Sequence, residues 1–206
     1  MSDSEPRSLM LGGYALRYLD SGAGEPLLLV HGSLCDCRFW RPQMQSLGQS
    51  RRVLAVSLRR YWPEAWDGSG GGFSLQQHAD DLAALIEALG AGPAHLVGHS
   101  RGGSVAWRLA QQRPELLRSL TLAEPGLCVD DGDGCGRADL NRGGFRQRAL
   151  ERVRSGDADG GLELFVDAVS GAGTWARMVP WIRRMMRDNA GTLFGQVPES
   201  YETVPA

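Results

Sequence analysis

The pentapeptide Gly98-His99-Ser100-Arg101-Gly102 sits between an apolar run, Ala94-His95-Leu96-Val97, and a helix-like run from Gly103 to Gln112. That arrangement restricts the possible folds more than anything else in the chain. A serine between glycines at a strand-to-helix junction is the pattern of a nucleophile elbow, a turn sharp enough to hold the serine in a strained backbone conformation. Residues two before and two after the serine must be small, and here they are Gly98 and Gly102. Gly103 lets the helix pack close to the strand. The Ser100 hydroxyl then stands above the sheet at a helix N-terminus, where backbone N–H groups point toward negative charge developing on a bound oxygen.

A second motif agrees with the first. Pro26-Leu27-Leu28-Leu29-Val30 reads as a buried strand and ends in His31-Gly32-Ser33. Together the two motifs resemble the α/β-hydrolase superfamily, from the first strands to about residue 126 and more loosely through the helical region beyond. The resemblance implies an α/β fold: a mostly parallel, doubly wound sheet carrying a helical cap. It also implies that Gly32 opens an oxyanion loop, with Ser33 and Arg101 supplying the two backbone N–H donors. No cofactor and no metal are implied.

The periodicity along the chain fits that architecture. Leu9 to Leu11 and Tyr14 to Tyr18 flank Gly12-Gly13, a two-residue hairpin signal. Trp40 to Leu47 reads as a short helix, Arg52 to Leu58 as a strand and Arg59 to Phe73 as a loop. Ser74-x-x-Gln77 is a capping box that opens a helix closed by Gly90. The elbow strand, its helix and the strand Leu117 to Leu122 complete a β/α alternation, which indicates helices on both faces of a parallel sheet. Ligands bind such sheets at the carboxyl ends of the strands, where Ser33, Ser100 and Glu124 all fall. Beyond Pro125 the pattern changes to a Gly/Asp-rich loop over Cys128 to Asp139. Helices without strands follow at Phe145 to Val153, Leu162 to Val169 and Trp175 to Arg187. The domain reading is therefore a hydrolase core over residues 1–126 and a cap over 127–200. Phe165, Trp175, Met178, Trp181, Met185 and Met186 either line the underside of that cap or pack its helices together.

Composition narrows the function classes. With 206 residues, 42% of them hydrophobic, the chain can bury one sizeable core and an insertion. A net charge of −2 gives no reason to expect a nucleic acid or an anionic membrane as partner. The polar, acidic opening Met1 to Arg7 is not a signal peptide, and no run approaches the ~18 apolar residues of a membrane span. The expected setting is cytoplasmic, with Cys35, Cys37, Cys128 and Cys135 as reduced thiols whose spacing does not suit zinc.

The chemistry needs three groups. Serine is a poor nucleophile until a base takes its proton, and a carboxylate usually orients that base. The superfamily places serine, acid and histidine in that order along the chain. Glu124, in Leu122-Ala123-Glu124-Pro125, occupies the position used for the acid in some branches, with Asp130 as the fallback. The histidine has no counterpart: His31, His78, His95 and His99 all precede Ser100. The sharp turn should direct His99 away from the pocket. The chain therefore reads as the N-terminal part of a hydrolase core, ending before the last strands and leaving Leu117 to Leu122 as an apolar edge. The expected function is a serine hydrolase acting on a small, apolar ester, lactone or related acyl substrate through an acyl-enzyme on Ser100. A C–C-cleaving or peroxidase-like branch shares the same site, and the alternative from another class is a non-catalytic module that binds a ligand or a partner.

Overall fold

The computed structural model describes residues 5–130, 144–198 and 202–205. Six strands form one sheet: β1 (Arg7–Leu11), β2 (Tyr14–Ser21), β3 (Pro26–Val30), β4 (Arg52–Ser57), β5 (Ala94–His99) and β6 (Leu117–Ala123), in the order β1-β2-β4-β3-β5-β6. The β1–β2 and β2–β4 pairs are antiparallel, and the β4–β3, β3–β5 and β5–β6 pairs are parallel. The hairpin between β1 and β2 turns on Gly12 at φ 53° and Gly13 at φ 84°, the left-handed pair that a two-residue turn of this hand requires.

The period-two alternation of the strands sorts their side chains into two cores. Leu28, Val30, Leu54, Val56 and Leu96 face α2 (Leu75–Leu89) and α3 (Arg101–Gln112) in one apolar cluster. Leu27, Leu29, Val53 and Ala55 face a single 3₁₀ turn at Cys37–Trp40 and α1 (Arg41–Leu47) in another. β3 is buried along its whole length, which explains its unbroken apolar sequence. α2 begins as its capping box predicts, with Ser74 Oγ accepting the Gln77 N–H at 3.0 Å, and closes at Gly90 with φ 61°. β6 is an edge strand among the described residues. Its Leu117, Leu120 and Leu122 pack toward α2 and α3, while Arg118, Ser119 and Thr121 are exposed.

The second half departs from the sequence expectation in three places. Leu127–Asp130 is a strand (β7), paired in parallel with β8 (Glu202–Pro205) in a separate two-stranded sheet. Four-residue strands leave too short an alternation to be read from sequence. The expected helix over 175–187 is two helices, α6 (Thr174–Arg177) and α7 (Pro180–Asp188). Val179 between them is extended, at φ −61° and ψ 145°, because the ring of Pro180 excludes the helical conformation before it. Cys128 is disulfide-bonded rather than a free thiol, and Cys135 lies outside the described residues. With α4 (Phe145–Arg154), α5 (Ala158–Ser170) and α8 (Leu193–Gln196), these helices enclose a third cluster around Phe145, Leu150, Leu162, Phe165, Trp175 and Leu193. One residue of that cluster, the fully buried Leu34, comes from the loop after β3.

Candidate active site

The backbone around Ser100 fits together through glycines. A β-carbon on Gly98 would lie 2.5 Å from the Gly102 carbonyl oxygen, and one on Gly102 would overlap the carbonyl oxygens of Val30 and His31. A β-carbon on Gly103 would meet Pro125 at 2.8 Å. The three positions thus lock the elbow to the end of β3 and to the segment after β6. Ser100 itself sits at φ 50° and ψ −123°, outside the ordinary regions for a side-chain-bearing residue. Its N–H donates to the Ala123 carbonyl at 3.0 Å, and its own carbonyl accepts the Gly126 N–H at 3.0 Å. Those two bonds fix the serine against the residues on either side of Glu124.

Strain of this kind is not confined to Ser100. Among the described residues, the non-glycine positions with positive φ are Leu34 (61°), Arg60 (71°), Ser100 (50°) and Glu124 (45°). Each follows the carboxyl end of one parallel strand: β3, β4, β5 and β6 in turn. Strained residues gathered on one rim mark a place where the surrounding structure dictates geometry. It is the rim at which ligands meet parallel sheets.

The structure brings the loop after β3 up to the serine. A β-carbon on Gly32 would lie 3.0 Å from Ser100 Cβ and 3.0 Å from His99 Nδ1. Ser33 follows directly, and Arg101 opens α3, where helical geometry leaves the first amides outside the i→i−4 ladder. The Arg101 side chain turns away and is buried, one guanidinium nitrogen 3.0 Å from His78 Nδ1 and its centre 4.7 Å from the Phe73 ring. Glu124 is exposed, at the end of β6. The acid fallback, Asp130, is in β7.

The four histidines have separate duties. His31 Nε2 lies 3.1 Å from the Leu58 N–H and must accept from it, so the ring proton is on Nδ1 and donates to the Gly32 carbonyl at 2.8 Å. Burial holds the His31 pKa down to about 4, so the ring stays neutral. The Gly32 carbonyl belongs to the same peptide plane as the Ser33 N–H, so this bond also sets the direction of that amide. His78 is fixed in the same way between Arg101 and the Arg59 carbonyl, 3.1 Å from its Nε2, and burial pushes its pKa well below the usual value. His95 sits at the amino end of β5, 2.7 Å from Ser119 Oγ. His99 directly precedes the serine and lies beside Gly32. Its ring stacks on Phe39 with centroids 5.1 Å apart, and its buried Nδ1 has no hydrogen-bond partner beside Gly32. Burial lowers its pKa against the opposing field of Glu124. Among the described residues, no histidine hydrogen-bonds to Ser100 Oγ.

Sequence reasoning missed a buried polar group beside the loop. Asp36, fully buried, caps the 3₁₀ turn by accepting the Arg38 N–H at 2.9 Å, and it takes the Arg38 guanidinium at 2.9 and 2.7 Å. Asn189, also buried, donates to it at 2.7 Å from the far end of α7. An aspartate just before a helical start is a recognisable cap signal; the asparagine 153 residues later carries none. Of the apolar residues proposed to line a cap, Phe165, Trp175 and Met185 are buried and Trp181 is 47% exposed. Phe165 and Trp175 lie within the helical cluster, and Met178 and Met186 pack against it. Cys35 and Cys37 are buried, and that burial pushes both thiols up to about 12, far from reactivity. Among the described residues no three metal-ligating side chains come together, and no helix is long and apolar enough to cross a membrane.

Comparison with known proteins agrees with this fold. The chain is 32% identical over 126 residues to a soluble epoxide hydrolase of Corynebacterium sp., covering 60% of this chain and 43% of that protein. It spans less than half the length of the curated relatives it matches. Among solved structures, the epoxide hydrolase CorEH superposes with a TM-score of 0.73 at 24% identity, over 93% of this chain and 71% of that one. A thermophilic esterase from Thermogutta terrifontis superposes with a TM-score of 0.67 at 25% identity, over 98% and 79%. The sequence profile of the alpha/beta hydrolase family matches residues 27–206, which include both the loop after β3 and the elbow. The chain belongs to the alpha/beta hydrolase family.

Proposed function

We propose that Ser100 is the nucleophile of a serine hydrolase that acts on esters, lactones or related acyl compounds. The observation that carries this reading is the Ser100 backbone, held at φ 50° and ψ −123° on the strained rim and locked by glycines on both sides. Ser100 Oγ attacks the acyl carbonyl and loses its proton to a base. The Ser33 and Arg101 N–H groups receive the oxyanion, the alcohol departs, and water then cleaves the acyl-enzyme. Glu124 is the proposed acid that orients the base, and residues 127–200 are the proposed cap over the site.

Of the three relatives named above, two are epoxide hydrolases and one is an esterase, and the nucleophile argues for the latter chemistry here. A serine opening an epoxide would form an ether, which water cannot cleave under these conditions. A serine attacking an acyl carbonyl forms an ester, which water can.

The base is not one of the four histidines of this chain. The ring nitrogens of His31 and His78 are engaged, His95 is at the far end of its strand, and His99 makes no bond to the serine. Ester turnover by the 206-residue chain alone is therefore expected to be negligible, at the residual level left when a triad member is removed.

Labelling by a fluorophosphonate, followed by intact mass, tests both statements. A single adduct is expected, absent in Ser100→Ala. Without an imidazole base the rate should rise about tenfold per pH unit from pH 7 to 9, following hydroxide. A rate that stays flat across this range would identify a histidine of this chain as the base, because the lowered rings of His31, His78 and His99 are already neutral there. The second reading is a hydrolase-like module that binds a ligand or a partner without turnover. Labelling no faster than that of free serine, together with measurable ligand binding, would establish that reading instead.

A further inference from the structure

We propose that Asn189 is a positioning residue for the Ser33 amide, through a clamp that ties the helical segment to the loop after β3. The inference rests on the reading of Ser33 as an oxyanion donor. It starts from a buried amide whose oxygen and both N–H groups are all engaged. Asn189 Oδ1 accepts the Trp62 N–H at 2.8 Å, and Nδ2 donates to Asp36 Oδ2 at 2.7 Å and to the Met185 carbonyl at 2.8 Å. A donor on one side and two acceptors on the other leave one orientation of the amide. Its backbone carbonyl is also used, by Thr192 Oγ1 at 2.7 Å. One side chain thus joins the end of α7 to the loop after β3 and to the loop after β4.

Within the loop after β3, the Cys35 N–H donates to the Gly32 carbonyl at 3.3 Å, and at its far end the Cys37 N–H donates to Ser57 Oγ at 3.2 Å. His31 fixes the Gly32 carbonyl at the start, and Asp36 fixes the end through Arg38 and Asn189. Between them, Leu34 adopts φ 61° and inserts its side chain, fully buried, among the helical residues Phe145, Leu162 and Trp175. The loop is thus pinned by the sheet on one side of Ser33 and by the helical segment on the other. A second ion pair strengthens the outer grip: Arg38 bridges to Asp188 at 2.8 Å while stacking on Trp62 at 3.9 Å. Shifting α7 away from the core would release Asp36 and withdraw Leu34 together, and the Ser33 amide would lose its fixed direction. An oxyanion donor is effective only when it is oriented before the reaction. The helical segment therefore sets the donor geometry as well as covering the site.

The test uses the intact chain, in wild type, Asn189→Ala and Val166→Ala. The last opens a cavity in the helical cluster without removing a hydrogen bond or ion pair of the clamp. Fluorophosphonate labelling at pH 9 over a range of probe concentrations separates the saturating rate from the half-saturating concentration. Peptide-resolved hydrogen exchange reads residues 33–37 independently of any chemistry. In Asn189→Ala the saturating rate should fall at least tenfold with the half-saturating concentration within twofold, and exchange over 33–37 should quicken at least tenfold. Val166→Ala should lower the melting temperature without either change. If Asn189→Ala resembles Val166→Ala in both readouts, the clamp is structural only and the proposal is overturned. If wild type is not labelled at all, the serine reading fails, and the exchange rates alone decide whether Asn189 holds the loop. Should Asn189→Ala fail to fold, Asp36→Asn, which sets two amide donors against each other, is expected to give the same pair of effects, and their absence would count against the clamp.

Discussion

The elbow and the helical segment are both well packed, but they are packed with different materials. Around Ser100 there is no room for a side chain: a β-carbon on Gly98 would meet the Gly102 carbonyl, one on Gly102 the carbonyls of Val30 and His31, and one on Gly103 the α- and β-carbons of Pro125. Between α4 and α8 the contacts run from side chain to side chain, through Leu150, Leu162, Phe165 and Leu193. A backbone-to-backbone contact admits only glycine, whereas a side-chain cluster tolerates many sets of similar total volume. The first region therefore holds its geometry strictly and announces itself in sequence. The second can vary its lining while keeping its shape.

The sharpest way to break the comparison is one added methyl in the first region against three carbons removed from the second. In Gly102→Ala the new β-carbon would overlap two main-chain carbonyls that cannot move without disturbing β3. We expect a loss of at least about 3 kcal/mol, together with loss of Ser100 labelling. Leu150→Ala should cost about 2–5 kcal/mol as a cavity in the helical cluster, yet leave the labelling rate of the folded fraction within a few-fold. Urea denaturation and labelling of the same samples give both numbers. Equal effects on labelling would mean that the elbow is no stricter than the helical cluster.

Acid should separate the two regions next. All four histidines lie in the first 99 residues, and the two fully buried ones, His31 and His78, stand beneath the strained rim. The folded His31 pKa, about 4, is below its unfolded value near 6.5, so the unfolded chain binds the proton first as pH falls. Stability is then complete above about pH 6.5 and declines through the window down to about pH 4, where it levels off. The contribution of His31 is about 3 kcal/mol. His78 shifts in the same direction and adds to the slope. Unfolding near pH 5 should take up close to two protons through these rings, read from the dependence of the urea midpoint on pH. A flat profile between pH 7 and 5 would show that neither ring is held neutral by the fold.

A smaller effect tests how local signals are stored. Ser74→Ala removes the hydroxyl that accepts the Gln77 N–H and should cost about 1 kcal/mol, seen as a modest fall in the urea midpoint with labelling unchanged. That cap was legible because it is short-range, as were the Gly12-Gly13 hairpin and the buried run Pro26–Val30. The elbow was legible because glycine is the only answer to its sterics. What the sequence does not disclose has a common cause, which is distance along the chain. The Asn189–Asp36 bond spans 153 residues. The β7–β8 pair joins strands about 75 residues apart, and the insertion of Leu34 into the helical cluster links residues more than a hundred apart. Leu34 reads in sequence as an ordinary apolar residue after a strand.

The smallest expected effect bears on Glu124, and its sign is the informative part. Glu124 has φ 45° and an exposed side chain, so it carries backbone strain without the burial that stabilises Leu34 in the same conformation. Relieving a left-handed residue recovers about 1–2 kcal/mol, and the added freedom of an unfolded glycine returns about 0.5–1 kcal/mol. Glu124→Gly should therefore raise stability by up to about 1 kcal/mol, visible as a small increase in the urea midpoint. A strained exposed carboxylate that stabilises the fold when removed is retained for something other than folding, and its neighbours on the rim suggest chemistry. In this chain no histidine waits to be oriented, so the labelling rate of Glu124→Gly should match wild type. A slower rate would show instead that Glu124 acts on Ser100 within these 206 residues, with His99, the ring that already feels its charge, as the link to examine.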